Sequence, residues 1–196
     1  MKGCRPLKDA EVALIAKTFG GRYALRDKAL FLVGVKTGFR VSELLSLRVR
    51  DVMQGGAIVE RVTVRKAHMK KKTAERTMPL HPDARAALEA WLNVMKAEGW
   101  LAPEAFVFRS RKGENRAISR VQAWTLLHEA ADSNELLGRG RIGTHSMRKT
   151  FANKVYDFLG HDIYRLKHAM GHRDIKATEA YLSFRESDID AAVMAL

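Results

Sequence analysis

The chain alternates apolar and polar side chains over a sustained length in one place, IVERVTVRK at residues 58–66. An alternating stretch rich in β-branched residues turns one face to a core and one to water, so it reads as a strand. RTMPL at 76–80 reads as its return strand, with the lysine-rich residues 70–75 at the hairpin tip between them. Almost everywhere else the apolar residues recur three and four apart, the step of a helix's buried face. Helices are expected at 8–19, where Val12, Ile15, Ala16 and Phe19 share a face, and at 24–37, stopped by Gly38. Others are expected at 41–48, and at 82–97 with Pro82 in the first turn. The remaining helices are expected at 119–134 behind a Ser119 cap, at 145–158 behind Thr144, near 162–170 and near 174–184. FVFRS at 106–110 fits a short strand or a buried loop. The expected fold class is α+β, mainly α-helical, with a small antiparallel β-hairpin on one edge.

Neither a repeat nor a Ser/Pro linker divides the chain, and it contains only four prolines, so residues 1–196 are expected to form a single domain. A hydrophobic content of 46% excludes a wholly disordered basic tail. The lone Cys4 excludes an intramolecular disulfide and an all-cysteine zinc cluster, and fits a reducing compartment. No apolar run approaches the ~20 residues of a membrane span, and the N-terminus lacks the apolar stretch of a signal peptide. The expected location is cytoplasmic, associated with the nucleoid. The last ten residues, SDIDAAVMAL, put Ile189, Ala192, Val193 and Leu196 on one narrow stripe. A short terminal helix there either folds back or docks on a neighbouring protomer.

The 35 Lys and Arg residues outnumber the 22 Asp and Glu, a formal net charge of +13 with a pI near 10.1. A packed domain with that excess points to a polyanion, nucleic acid before a membrane surface. The cations gather in three runs. The first is Arg65, Lys66, Lys70, Lys71, Lys72 and Arg76 on the hairpin; the second is Arg109, Arg111, Lys112, Arg116 and Arg120; the third is Arg139, Arg141, Arg148 and Lys149. Lys70, Lys72, Arg139, Arg141 and Lys149 are candidate contacts to a DNA backbone.

Among residues that could perform chemistry, some arrangements are missing. No GxxxxGK[ST] cradle for a nucleotide and no HExxH is present. His168 and His172 stand four apart, but no carboxylate or cysteine completes a metal site, so no metal and no cofactor is expected. What remains is Arg40, His145, Arg148, His172, a lysine among Lys70 to Lys72, and Tyr181 nine residues after His172. Guanidinium forks hold the non-bridging oxygens of a phosphodiester and stabilise charge in its five-coordinate transition state. A phenol can be the nucleophile, and a protonated lysine can assist the leaving oxygen.

TGFRVSELLSL at 37–47, THSMRKTFA at 144–152 and HAMGHRDIKATEAYLSF at 168–184 closely resemble the three signature boxes of the tyrosine recombinases, the phage integrase family. The resemblance covers about residues 8–185. It implies that Arg40 and Arg148 clamp the scissile phosphate of double-stranded DNA, and that Tyr181 attacks to give a 3′-phosphotyrosyl bond and a free 5′-hydroxyl. His172 would hydrogen-bond a non-bridging oxygen. His145 sits where the family has its acid/base histidine, and Glu43 would buttress the site from behind. The family's lysine lies on the hairpin and protonates the 5′-oxygen. Counting back from Arg76 and Pro79 points to Lys71, with Lys70 and Lys72 beside it. The implied activity is site-specific strand exchange without metal or ATP. A homotetramer on two duplexes that exchanges the 187–196 helix is expected, and the free chain can be a monomer. Type IB topoisomerase-like relaxation and a non-catalytic DNA-binding regulator are the alternatives. Most members carry an N-terminal core-binding domain, and here the first box already stands at residue 40. The chain is expected either to be a catalytic piece or to resemble the short recombinases that invert fimbrial promoter segments.

Overall fold

The structure, a computed structural model, describes residues 3–65, 75–182 and 193–195, with Arg139 described through its backbone alone. It divides into two compact units, residues 1–151 and 152–196.

The first unit opens with α1 (Asp9–Thr18) and α2 (Ala24–Thr37). Gly38 ends α2 with φ of 60°, and its N–H bonds the carbonyl of Gly34. A left-handed C-cap is the conformation glycine adopts most readily. α2 is buried along most of its length and packs chiefly on α5 (Pro82–Ala97). On α5, Ala84, Leu88, Trp91, Leu92 and Met95 are almost wholly enclosed, each large one stabilising the fold by roughly 1.5–3 kcal/mol. The Trp91 indole donates to the carbonyl of Val107 at 2.7 Å. That bond pins the FVFRS segment, which is a buried loop with isolated bridges Arg48–Phe106 and Arg109–Ala117. α6 (Arg120–Asp132) follows, its N-terminus capped by the Ser119 hydroxyl accepting from the N–H of Gln122 at 3.0 Å.

The helix expected at 41–48 is broken in two. α3 (Val41–Leu44) stops after one turn, and α4 (Val49–Val52) starts afresh with the Asp51 carboxylate capping the N–H of Arg48 at 2.9 Å. Leu44, Leu45 and Leu47 are all buried, and the carbonyl of Leu47 accepts from the N–H of Val107. Tertiary pairing of this turn overrides the helical spacing. The strand expected at 58–66 is likewise divided. β1 (Met53–Gln54) pairs antiparallel with β2 (Ala57–Ile58), and β3 (Arg61–Val64) pairs antiparallel with β4 (Arg76–Pro79), Val62 opposite Met78. The lysine-rich hairpin tip lies outside the described residues.

α7 (Thr144–Phe158) begins at Thr144 itself, one residue earlier than expected. The Ser146 hydroxyl accepts from the N–H of Gly143. The second unit contains α8 (Ile163–Met170) and α9 (Ile175–Glu179). α9 ends five residues short of the expected helix at 174–184, and residues 183 and 184 lie outside the described set. So does most of the terminal stripe; Val193 and Met194 are exposed. Among the described residues no helix is long and apolar enough to cross a membrane.

Candidate active site

In the first unit the site is built around the turn Thr37–Arg40. Gly38 takes the chain out of α2 and Phe39 is buried beneath the turn. Arg40 then adopts extended backbone as the N-cap of α3. Glu43 folds back onto it: one carboxylate oxygen accepts the Arg40 N–H at 2.7 Å, and the other accepts its guanidinium at 2.7 Å. Glu43 is 3% exposed, yet the Arg40 side chain retains 39% exposure. One edge of the guanidinium is therefore held from behind while the rest faces solvent.

Arg148 reaches the same turn from α7, donating to the carbonyl of Gly38. A third guanidinium, that of Arg76 on β4, donates to the carbonyls of Thr37 at 2.8 Å and Gly38 at 3.2 Å. It lies 3.8 Å from Glu43 and over the rings of Phe39 and Phe151. Burial pushes the Arg76 guanidinium down to about 9, with Arg148 and Arg40 acting in the same direction and Glu43 opposing them, so it is charged at neutral pH. The hairpin run was expected to be a phosphate-contacting surface. Arg76 does not fit that expectation, being 8% exposed and tied to protein carbonyls. Its position at the start of the return strand gave no sign of this.

His145 sits one turn before Arg148 on α7. Partial desolvation and then the cations Arg148, Lys149 and Arg40 lower its pKa below the usual 6.5, leaving it neutral and able to take a proton at pH 7. Arg40, with part of its guanidinium open to solvent, and a neutral imidazole can bind an oxyanion and accept a proton next to it, while Arg148 is 1% exposed at the turn.

In the second unit, sequence and geometry meet at the end of α8. Asp162 caps the start of α8 by accepting from the N–H groups of Tyr164 and Arg165. Gly171 ends it with φ of 62°, its N–H bonding the carbonyl of His168 while that of His172 bonds the carbonyl of Lys167. This is a Schellman ending, and it explains the Gly-His pair: glycine supplies the left-handed turn and the next residue is fixed by a backbone bond. His172 Nδ1 lies 3.0 Å from the hydroxyl of Thr178, which is wholly buried in α9. The His172 and Tyr181 rings are 5.4 Å apart between centroids. The carbonyl of Tyr181 accepts from Asn153 at 2.9 Å. Thr178 and Asn153 were not foreseen; a threonine six residues after a histidine carries no signal without the turn between them.

The structure thus brings Arg40, Glu43, His145 and Arg148 together in one unit, and His172 and Tyr181 together in the other. Lys70, Lys71 and Lys72 lie outside the described residues, as does the side chain of Arg139. Arg141 is exposed and Lys149 half-buried. Among the described residues no group of three or more His, Cys, Asp or Glu could hold a metal ion. At the opposite end of α2 a cavity of about 570 Å³ is lined by Arg22, Arg26, Arg111, Lys112 and Arg116. Arg22 pairs with Glu98 and Arg26 with Asp27. Burial raises the carboxyl of Asp27 despite its arginine neighbour. Among the described residues no carboxylate pairs with the other three cations.

The family model described as Phage integrase family matches residues 7–187. The chain is 28% identical over 172 residues to tyrosine recombinase XerC of Herpetosiphon aurantiacus, covering 87% of this chain and 52% of that protein. It is 28% identical over 188 residues to the "Probable integrase/recombinase YoeC" of Bacillus subtilis, covering 96% and 94% respectively. The chain therefore spans about half the length of the first relative and nearly all of the second. Among solved structures, XerA recombinase is similar with a TM-score of 0.74 at 19% identity, covering 97% of this chain and 64% of that one. XerH site-specific recombinase bound to palindromic difH substrate has a TM-score of 0.74 at 21% identity, covering 96% and 51%. The catalytic domain of bacteriophage HP1 integrase has a TM-score of 0.57 at 20% identity, covering 98% and 95%. These three show a shared fold. The sequence match is of another kind: running from residue 7 to residue 187, it takes in all three boxes quoted above, and this chain belongs to the phage integrase family.

Proposed function

We propose that the chain is the catalytic domain of a site-specific DNA recombinase that cleaves and rejoins strands through a phosphotyrosine. The observation that carries this is the turn Thr37–Arg40, where Glu43 holds Arg40 and the Gly38 carbonyl holds Arg148, beside a histidine kept neutral. A backbone phosphate gripped by Arg40 and Arg148 is attacked by the Tyr181 hydroxyl. The bond from phenolic oxygen to phosphorus forms as the bond to the 5′-oxygen breaks. His145 takes the phenol's proton, and Lys71 gives one to the departing 5′-oxygen. His172, its ring fixed by Thr178, donates to a non-bridging oxygen. The ester bond is conserved in the intermediate, so a 5′-hydroxyl from another strand reverses the attack without ATP. The names of the relatives, recombinases and integrases, support this reading, as does the likeness to a XerH structure bound to DNA.

Arg111, Lys112 and Arg116 of the α2 cavity, with Arg141 and Lys149, contact DNA phosphates and leave sequence reading to other groups. Such a chain resides with the nucleoid. In action it forms a tetramer on two duplexes, residues 187–196 passing between neighbours; deleting them weakens synapsis more than single-site binding, and an equal loss in both rejects the exchange.

The deciding experiment traps the covalent adduct on a nicked suicide duplex. The wild-type chain accumulates adduct, and Tyr181→Phe forms none. An adduct formed by Tyr181→Phe removes the tyrosine assignment, and no wild-type adduct on any duplex removes the enzyme.

A further inference from the structure

The third guanidinium of the first unit has no place in the chemistry just described. Arg76 is 8% exposed, and its guanidinium is turned to the carbonyls of Thr37 and Gly38, whereas that of Arg40 partly faces solvent. Burying a cation is unfavourable, and an apolar side chain would fill the same space against Phe39 and Phe151 without that penalty. Its hydrogen bonds indicate what it does instead. Thr37 and Gly38 carry the last carbonyls of α2, which have no partner within the helix. Arg76 takes both, and shares the second with Arg148. Two like charges on one carbonyl oxygen repel each other. The carboxylate near enough to offset them is Glu43, 3.8 Å from Arg76 and 2.7 Å from Arg40. The three arginines, Glu43 and the turn therefore form one connected network in which each guanidinium limits the position of the next.

We propose that Arg76 is a positioning residue for DNA cleavage: by gripping the Thr37–Gly38 carbonyls from β4, it sets the spacing between the Arg40 and Arg148 guanidiniums that bind the scissile phosphate. This rests on the phosphate-clamp reading above. The two nitrogens of a rigid planar fork take adjacent carbonyls at a fixed spacing, which the single, flexibly held ammonium nitrogen of a lysine does not reproduce, so the geometry calls for arginine as well as charge. Arg76 does not touch the reacting atoms. Its loss shifts the clamp, and displacement by about an ångström is enough to slow a reaction about a hundredfold.

The test measures adduct formation with the full chain on two suicide duplexes. One carries an ordinary phosphodiester at the cleavage position. The other carries a methylphosphonate there, which lacks the negative charge that the clamp serves. Arg76→Gln and Arg76→Lys are compared with wild type, thermal unfolding being followed in parallel. The expected result on the phosphodiester is a fall of roughly ten- to a hundredfold in the saturated rate, with DNA affinity unchanged. On the methylphosphonate the deficit shrinks to within about threefold, because a misplaced clamp matters little to an uncharged group. Arg76→Lys falls with Arg76→Gln, and it gives the reading if Arg76→Gln does not fold. An equal deficit on both duplexes means that Arg76 only stabilises the fold and overturns the proposal. A wild-type rate in either variant also overturns it and leaves the recombinase reading intact. Absence of adduct from the wild-type chain on both duplexes overturns the recombinase reading, and this proposal with it.

Discussion

His145 shows how a single side chain takes its chemistry from its neighbours. Desolvation and three nearby cations make its proton easier to lose than the unfolded chain's at 6.5. Between the folded and unfolded values the unfolded state binds more protons, so stability falls as pH drops through 6.5 and recovers above it. His145→Gln is expected to flatten that slope in urea unfolding followed across pH. On the proposed recombinase reading the same depression governs cleavage, since His145 as base has to be neutral. The acid limb of adduct formation is expected to have its midpoint below 6.5, and Lys149→Gln to move it upward; a midpoint that stays put shows that the Lys149 charge does not act there. Arg40, His145, Arg148, His172 and Tyr181 could be singled out in sequence because each sits at fixed spacing within a box, and the structure groups the first three in one unit and the last two in the other. Arg76, Thr178 and Asn153 were not, because their partners lie across turns that spacing does not reveal.

Elements were legible where local rules agreed with packing. α2 and α5 have the expected boundaries, the one closed by glycine and the other opened by proline. Residues 41–48 failed because three buried leucines fit a helical face and a tight turn equally well, and pairing with the 106–107 segment chose the turn. The end of α8 makes the opposite case, since its Gly-His pair specifies both a stop and the placement of a side chain. Gly171→Ala forces a methyl-bearing residue to hold φ near 62°, which costs about 1–2 kcal/mol. The expected outcome is that loss in thermal unfolding, with slower adduct formation as His172 leaves Thr178. Unchanged stability contradicts the Schellman assignment.

For the molecule as a whole, charge is the property that sequence conveyed most directly, although not its distribution. An excess of +13 points to a polyanionic partner, yet the runs that carry it divide between structural and exposed positions. Arg76 and Arg148 are buried, Arg65 pairs with Asp51, and Arg109 lies over Trp100. Arg111, Lys112 and Arg116 remain exposed around the α2 cavity. Replacing all three with glutamine is expected to weaken DNA binding and to reduce the slope of log affinity against log salt by about 2–3, measured by fluorescence anisotropy. An unchanged slope would place these cations off the DNA. The Gly38 carbonyl, on which Arg76 and Arg148 converge, behaves differently from any of these side chains. It is main chain, present whatever residue the codon specifies, so no point mutation can delete the anchor itself. Mutational drift can only move it, by altering the residue that permits the bend or the rings beneath. Weakening it directly requires atomic surgery: an ester in place of the amide between residues 38 and 39 would leave every side chain intact and loosen both guanidiniums at once.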